Sequence, residues 1–185
     1  MILLIGGSSH VGKTLLAQRL LEKTLYPVLS LDHLKMGLIR SGLTELTVHD
    51  DLKMRYFLWP VAAEMVKTAI ENGQNMIVEG CYIPGEWREP FPEEYLKHIR
   101  CVFIVMSERY IRGHMADIAG YANVIEHRIA DETDEERLVR CSRNFRADAE
   151  RFGIPCLEID EEYNEKVLLE RLCALLGLKG EICGF

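Results

Sequence analysis

The amino-acid sequence predicts an α/β fold: an open parallel sheet with helices on both faces. Five short apolar runs alternate with stretches of helical spacing, and the first run ends at a glycine pair that leads into a helix. The 185 residues are 48% hydrophobic and 28% charged, which fits one domain with a substantial core. No repeat, low-complexity stretch or second domain shows, so residues 1–185 read as one unit.

The elements follow in order. Residues 1–5 are apolar throughout and end in Gly6-Gly7, the pattern of a central strand buried on both faces. From 13 to about 25, Leu15, Leu16, Leu20 and Leu21 repeat at helical spacing. Residues 27–31 read as a second strand closed by Asp32, and 32–40 as a helix with Asp32 as candidate N-cap and Gly42 as stop. Between 53 and 72 the pairs Phe57/Leu58, Val61/Ala62, Met65/Val66 and Ala69/Ile70 recur every four residues and mark one buried helix face. Pro60 kinks that helix or starts its main part. Residues 75–78 form a third strand closed by Glu79-Gly80, followed by a proline-rich connection and a short helix over 93–98. The fourth strand covers 101–106. A helix starts near Ser107, a polar irregular segment covers 113–133, and a long helix runs to 152 with Leu138, Phe145, Ala149 and Phe152 on one face. A fifth strand at 154–159 and a helix at 165–176 close the chain.

Charge narrows the partners. With 22 Lys+Arg against 29 Asp+Glu the formal charge is -7, which gives no footprint for nucleic acid or an anionic membrane surface. The opening apolar run is too short for a signal peptide or a span. Six scattered cysteines without a Cys-x-x-Cys pair point to free thiols in a reducing cytoplasm, with Cys101 and Cys156 as small core residues.

Gly7-Ser8-Ser9-His10-Val11-Gly12-Lys13-Thr14 matches G-x-x-x-x-G-K-[ST] at every position and lies between a buried strand and a helix, the context the motif requires. Its glycines let backbone N–H groups close around phosphate oxygens, and the helix adds its positive end. A lysine at a helix N-terminus opposes the dipole unless an anion sits there. Lys13 is therefore expected on the β- and γ-phosphates of ATP and the Thr14 hydroxyl on Mg2+. The expected nucleotide-binding set is Gly7, Ser8, Ser9, His10, Val11, Gly12, Lys13, Thr14 and Leu15, with His10 contributing its backbone and not its ring.

In open parallel sheets ligands bind beyond the carboxyl ends of the strands, where Asp32 and Glu79 fall. Either acid can hold Mg2+ through water or accept a proton from a substrate hydroxyl; Asp32 is equally suited to capping a helix. Lys35, Arg40, Arg55 and Arg88 flank the acceptor side and are either anion binders or solvated. Arg109, Arg112, Arg128, Arg137, Arg140 and Arg143 concentrate after the fourth strand, so the segment of about 108–145 reads as a lid; individually most of these arginines suit surface ion pairs. His49-Asp50-Asp51 reads as a solvated acidic stretch. Tyr163 and Asp160 lie where an adenine would border the sheet.

Together the Gly7–Thr14 loop, Asp32 with its basic helix, Glu79-Gly80, the Arg109/Arg112 helix and the Arg140/Arg143 helix resemble the small-molecule kinases of the P-loop superfamily, among them adenylate, shikimate and gluconate kinases. The resemblance covers nearly the whole chain; only the loop is highly specific. It implies a three-layer P-loop NTPase fold with sheet order 2-3-1-4-5, ATP and Mg2+ as donor, and an arginine-bearing lid. It further implies Arg112 near the adenine and lid hinge, Arg140 on phosphate and Asp32 orienting an acceptor hydroxyl; by position, Arg143 is expected beside Arg140, and Lys35 and Arg40 beside the acceptor. After the third strand, nucleoside monophosphate kinases usually show Asp-Gly-Phe/Tyr-Pro-Arg. This chain has Glu79-Gly80-Cys81-Tyr82-Ile83-Pro84-Gly85, locally similar to 2-phosphoglycerate kinase-like proteins.

The expected activity is transfer of the γ-phosphoryl group from ATP to a small molecule, with Lys13, Asp32, Arg140 and Arg143 as the catalytic set and Thr14 and Glu79 at the metal. The alternatives are a nucleotide-dependent regulatory ATPase, a nucleoside monophosphate kinase and a polynucleotide kinase; the acidic charge argues against the last.

Overall fold

The computed structural model describes residues 1–121 and 134–178. Five strands, β1 (Ile2–Gly7), β2 (Val28–Ser30), β3 (Met76–Glu79), β4 (Ile99–Met106) and β5 (Cys156–Ile159), form one sheet of order β2-β3-β1-β4-β5. All four pairings are parallel. The expected class and order are therefore observed.

Eight helices connect them among the described residues: α1 (Lys13–Thr24), α2 (Leu31–Arg40), α3 (Asp51–Glu71), α4 (Glu93–Leu96), α5 (Glu108–Gly113), α6 (Met115–Tyr121), α7 (Glu135–Phe152) and α8 (Glu165–Leu175). Alternation along β1 splits the core in two. Ile2 and Leu4 pack under α3 and the Phe145–Ala149 face of α7, while Leu3 and Ile5 pack under α1 and α8. Every residue of β1 is buried, as its continuous apolar run requires.

Three of the four α3 pairs split at the 100° step of the helix: Leu58, Ala62 and Val66 are buried, whereas Phe57, Val61 and Met65 face outward; in the fourth, Ala69 is buried and Ile70 packs partly buried on the core. Pro60 lies inside α3 on its exposed side, where solvent can satisfy the carbonyl it leaves unbonded. Two expectations need correction. β2 stops at Ser30, and Ser30 occupies the N-cap position of α2, so Asp32 is the second helical residue and neither cap nor strand end. The segment at 113–133 opens with helix α6, anchored by buried Ile118, and residues 122–133 with Arg128 lie outside the described residues.

Cys81, Cys101, Cys141, Cys156 and Cys173 are free thiols, and Cys183 lies outside the described residues. Among the described residues no helix is long and apolar enough to cross a membrane.

Candidate functional site

The sheet delivers Gly7 at the carboxyl end of its central strand, and the chain wraps from there into α1. Three residues of the loop sit at positive φ: Gly7 at 125°, His10 at 64° and Gly12 at 78°. Gly7 is dictated by contact as well as by φ, since a Cβ there would lie 2.0 Å from the Ile104 carbonyl oxygen. Lys13, Thr14 and Leu15 precede the first helical hydrogen bond of α1, from Leu16 N to Gly12 O at 2.9 Å, so their N–H groups form the helix's anion-attracting end.

Lys13 is buried, and its ammonium donates to the Ser8 carbonyl at 2.6 Å across the mouth of the loop. Ser8 is fully buried and is held from outside the motif. Ser142 on α7 donates to Ser8 Oγ at 2.9 Å and accepts from Met106 N at 3.4 Å, joining α7 to the loop and to the end of β4. Sequence reasoning missed Ser142. The signal was a serine four residues after Leu138 and three before Phe145, inside the apolar face of a helix.

Thr14 Oγ1 donates to Glu79 Oε2 at 3.4 Å, and Glu79 is fully buried at the end of β3, in register with Ile5 and Ser30. A hydroxyl and a carboxylate meeting at the loop form an all-oxygen donor pair suited to Mg2+. No group of three His, Cys, Asp or Glu able to hold a metal occurs among the described residues, so a cation here would take its other ligands from phosphate and water.

A cavity of about 240 Å³ opens beside the loop at Ser9 and His10, with Arg55 of α3, Tyr82, Arg137 and Asp148 among its walls. Arg55 donates to the Cys81 carbonyl at 3.2 Å and lies over the Phe145 ring at 4.9 Å. Burial pushes the Cys81 thiol up to about 12, so it is a neutral part of this wall. Burial likewise raises the Asp148 carboxyl above its ordinary value, against the pull of Arg55.

Asp32, Lys35 and Arg40 are not among the residues lining the cavity. Asp32 pairs with Lys35 at 3.0 Å; Lys35 also donates to Tyr82 Oη at 2.8 Å, and Tyr82 donates to Asp51 at 3.2 Å. Arg137 completes the chain at Asp51 over 2.9 Å. The run of polar contacts thus leads from Asp32 to the cavity wall and on to α7, and Asp51 is a partner in it, not merely solvated. Arg40 is exposed at the end of α2.

The arginines expected on a lid separate. Arg112 contacts Glu108, Glu135 and Glu136, and Arg143 contacts Glu108, which holds the Glu108 carboxyl below its usual range. Arg140 is exposed and makes no ion pair among the described residues.

A glycine-rich turn runs from a central parallel strand into a helix, with a lysine inside it and a buried acid ending the neighbouring strand, which is the phosphate-loop arrangement of a parallel α/β fold. No protein-family model matches the chain. No curated protein matches it either. Solved structures do. A gluconokinase from Sinorhizobium meliloti 1021 aligns over 97% of this chain and 93% of its own at 17% identity and TM-score 0.55. A sugar kinase from Janibacter sp. HTCC2649, crystallised without ligand, aligns over 100% and 98% at 14% identity and TM-score 0.61. Shikimate kinase from Aquifex aeolicus vf5 aligns over 100% of both chains at 16% identity and TM-score 0.50. The chain has the fold of the P-loop small-molecule kinases.

Proposed function

We propose that this protein is an ATP-dependent phosphotransferase that moves the γ-phosphoryl group to a small-molecule acceptor. The observation that carries the reading is the contiguity of loop and cavity: Ser9 and His10 belong to the phosphate loop and also line the space beside it. A small molecule in that space would lie next to the end of a bound triphosphate. The kinase folds of the structural neighbours support the same conclusion.

ATP would supply the phosphoryl group, and Thr14 and Glu79 would hold Mg2+, which would neutralise charge on that group. Lys13 leaves the Ser8 carbonyl to bind the terminal phosphates, adding a positive charge that strengthens as charge develops in transfer. Backbone N–H groups from Gly7 to Leu15 fix the phosphates in place. Arg55 and Arg137 offer guanidinium groups to an anionic acceptor, and Asp32 acts from outside the cavity by holding Lys35, which donates to Tyr82 on the cavity wall. Arg140 and Arg143 close on phosphate, Arg143 by exchanging Glu108 for it. Five free thiols among the described residues suit a reducing cytoplasm, and the formal charge of -7 suits a small acceptor over nucleic acid.

The test is ADP release from ATP across a metabolite panel that includes sugars, sugar acids, hydroxy acids and nucleoside monophosphates. Release that depends on one acceptor, with phosphate recovered on it, is expected. ADP release indifferent to every acceptor and stimulated by a protein partner would instead assign a regulatory ATPase.

A further inference from the structure

The cavity beside the loop has two ends. Ser9 and His10 border it at the phosphate loop, and Asn144 and Asp148 border it on α7. These two α7 residues are four apart and so share a helix face. Ser142, the residue of α7 that bonds to Ser8, precedes Asp148 by six residues, which sets Asp148 about 9 Å along the helix axis from the loop contact. A molecule whose reacting group sits at the loop therefore presents its other end to Asp148.

Asp148 differs from the other carboxylates of the cavity wall. Asp51 accepts from Tyr82 and Arg137, and Asp134 accepts from Glu136 N at the start of α7. Asp148 has neither a hydrogen bond nor an ion pair among the described residues, although it is partly withdrawn from water and burial raises its carboxyl. Its stem is fixed: a Cβ placed on Gly85 would lie 3.1 Å from Asp148 Cβ, so the connection after β3 packs directly on this turn of α7. Arg55, whose charge acts on Asp148, is held as well, by the Cys81 carbonyl and the Phe145 ring. Acid and guanidinium thus border one space without closing on each other.

That pairing selects the chemistry of what fills the space. An anion there meets the like charge of Asp148 and a cation that of Arg55, whereas a hydroxyl donates to the one and accepts from the other. Arg55 uses one N–H on the Cys81 carbonyl, which leaves donors for a hydroxyl and for an anionic group elsewhere on the acceptor.

We propose that Asp148 is a specificity-determining residue that accepts a hydrogen bond from a second, non-reacting hydroxyl of the acceptor, with Arg55 donating to the same oxygen. The acceptor is accordingly a polyhydroxylated compound. The inference rests on the phosphotransferase reading above and names the substrate class of its cavity.

The test is ADP release from Mg·ATP with the aldonates and alditols of three to six carbons, each beside its monodeoxy counterparts, in wild type, Asp148→Ala and Asp148→Asn. In the wild type a polyhydroxylated compound should drive release, and removal of one non-reacting hydroxyl should lower kcat/KM by about tenfold or more. Asp148→Ala should lose that discrimination: its kcat/KM for the full compound falls, through KM, to the level of the deoxy compound. Asp148→Asn keeps the size of the side chain and one acceptor oxygen and should fall between the two; it carries the comparison if Asp148→Ala does not fold. A packing role alone would weaken full and deoxy compounds equally. Equal handling of the two compounds by the wild type, undiminished discrimination in the variants, or no release with any member of the series would each overturn the assignment. Wild type that binds Mg·ATP and phosphorylates only a singly hydroxylated acceptor sinks this inference alone; folded wild type that binds no Mg·ATP sinks the proposed function with it.

Discussion

At Gly7 the backbone sits at φ 125° and a Cβ would fall within 2.0 Å of the Ile104 carbonyl oxygen and 2.5 Å of its nitrogen. Neither neighbour can rotate away, because both belong to the β1·β4 ladder. Gly7→Ala should therefore destabilise the fold by about 3 kcal/mol or more, through strain and overpacking together. Denaturant unfolding measures it; a loss below about 1 kcal/mol would mean that the loop rearranges freely. Gly7, Lys13 and Thr14 were legible in the sequence because their chemistry is local: the motif needs those residues at those spacings whatever surrounds it. Glu79 was legible from its place at a strand end. Tyr82 and Asp51 were not, because their roles arise from partners 31 residues or more away in sequence, joined by the Tyr82–Asp51 and Arg137–Asp51 bonds.

Helices α5 and α7 carry the arginines expected on a lid, and α7 is also fastened to the loop. Ser142 sits fully within the packed face of α7, and its two hydrogen bonds reach Ser8 and Met106. Ser142→Ala strips Ser8 Oγ of its donor and Met106 N of its acceptor in a buried setting, a loss of about 2 kcal/mol. Equilibrium unfolding checks this; an effect under about 0.5 kcal/mol would show that the loop holds its shape without α7. The spans of β1, α1, α7 and α8 followed from apolar periodicity, since each buries a continuous run or a clean stripe. The start of α2 did not. Asp is a favoured N-cap, yet Ser30 stands at that position and Asp32 pairs instead with Lys35 one turn on in the same helix, an ion pair that capping propensity does not contain. Helix α6 was hidden in a polar stretch whose buried anchor is Ile118.

Across the molecule, alternation of strand and helix predicted a parallel sheet, but periodicity says nothing about which strand lies beside which; the order 2-3-1-4-5 came with the family resemblance, and the structure shows it. That order places β1 between β3 and β4, so Gly7, Glu79 and the end of β4 converge on one edge of the sheet, where α3 and α7 wall in the cavity. The cavity itself was not legible, because it is made from segments that meet only in the folded chain. In the proposed function the loop from Gly7 to Thr14 grips the phosphates of a magnesium nucleotide through its amides and the Lys13 ammonium. Isothermal calorimetry of Mg·ATP with wild type and with folded Lys13→Ala tests it most directly. Saturable one-site binding by the wild type, weakened by about 100-fold or more in Lys13→Ala, is the predicted result. No binding by folded wild type, or equal affinity in the two proteins, would contradict it.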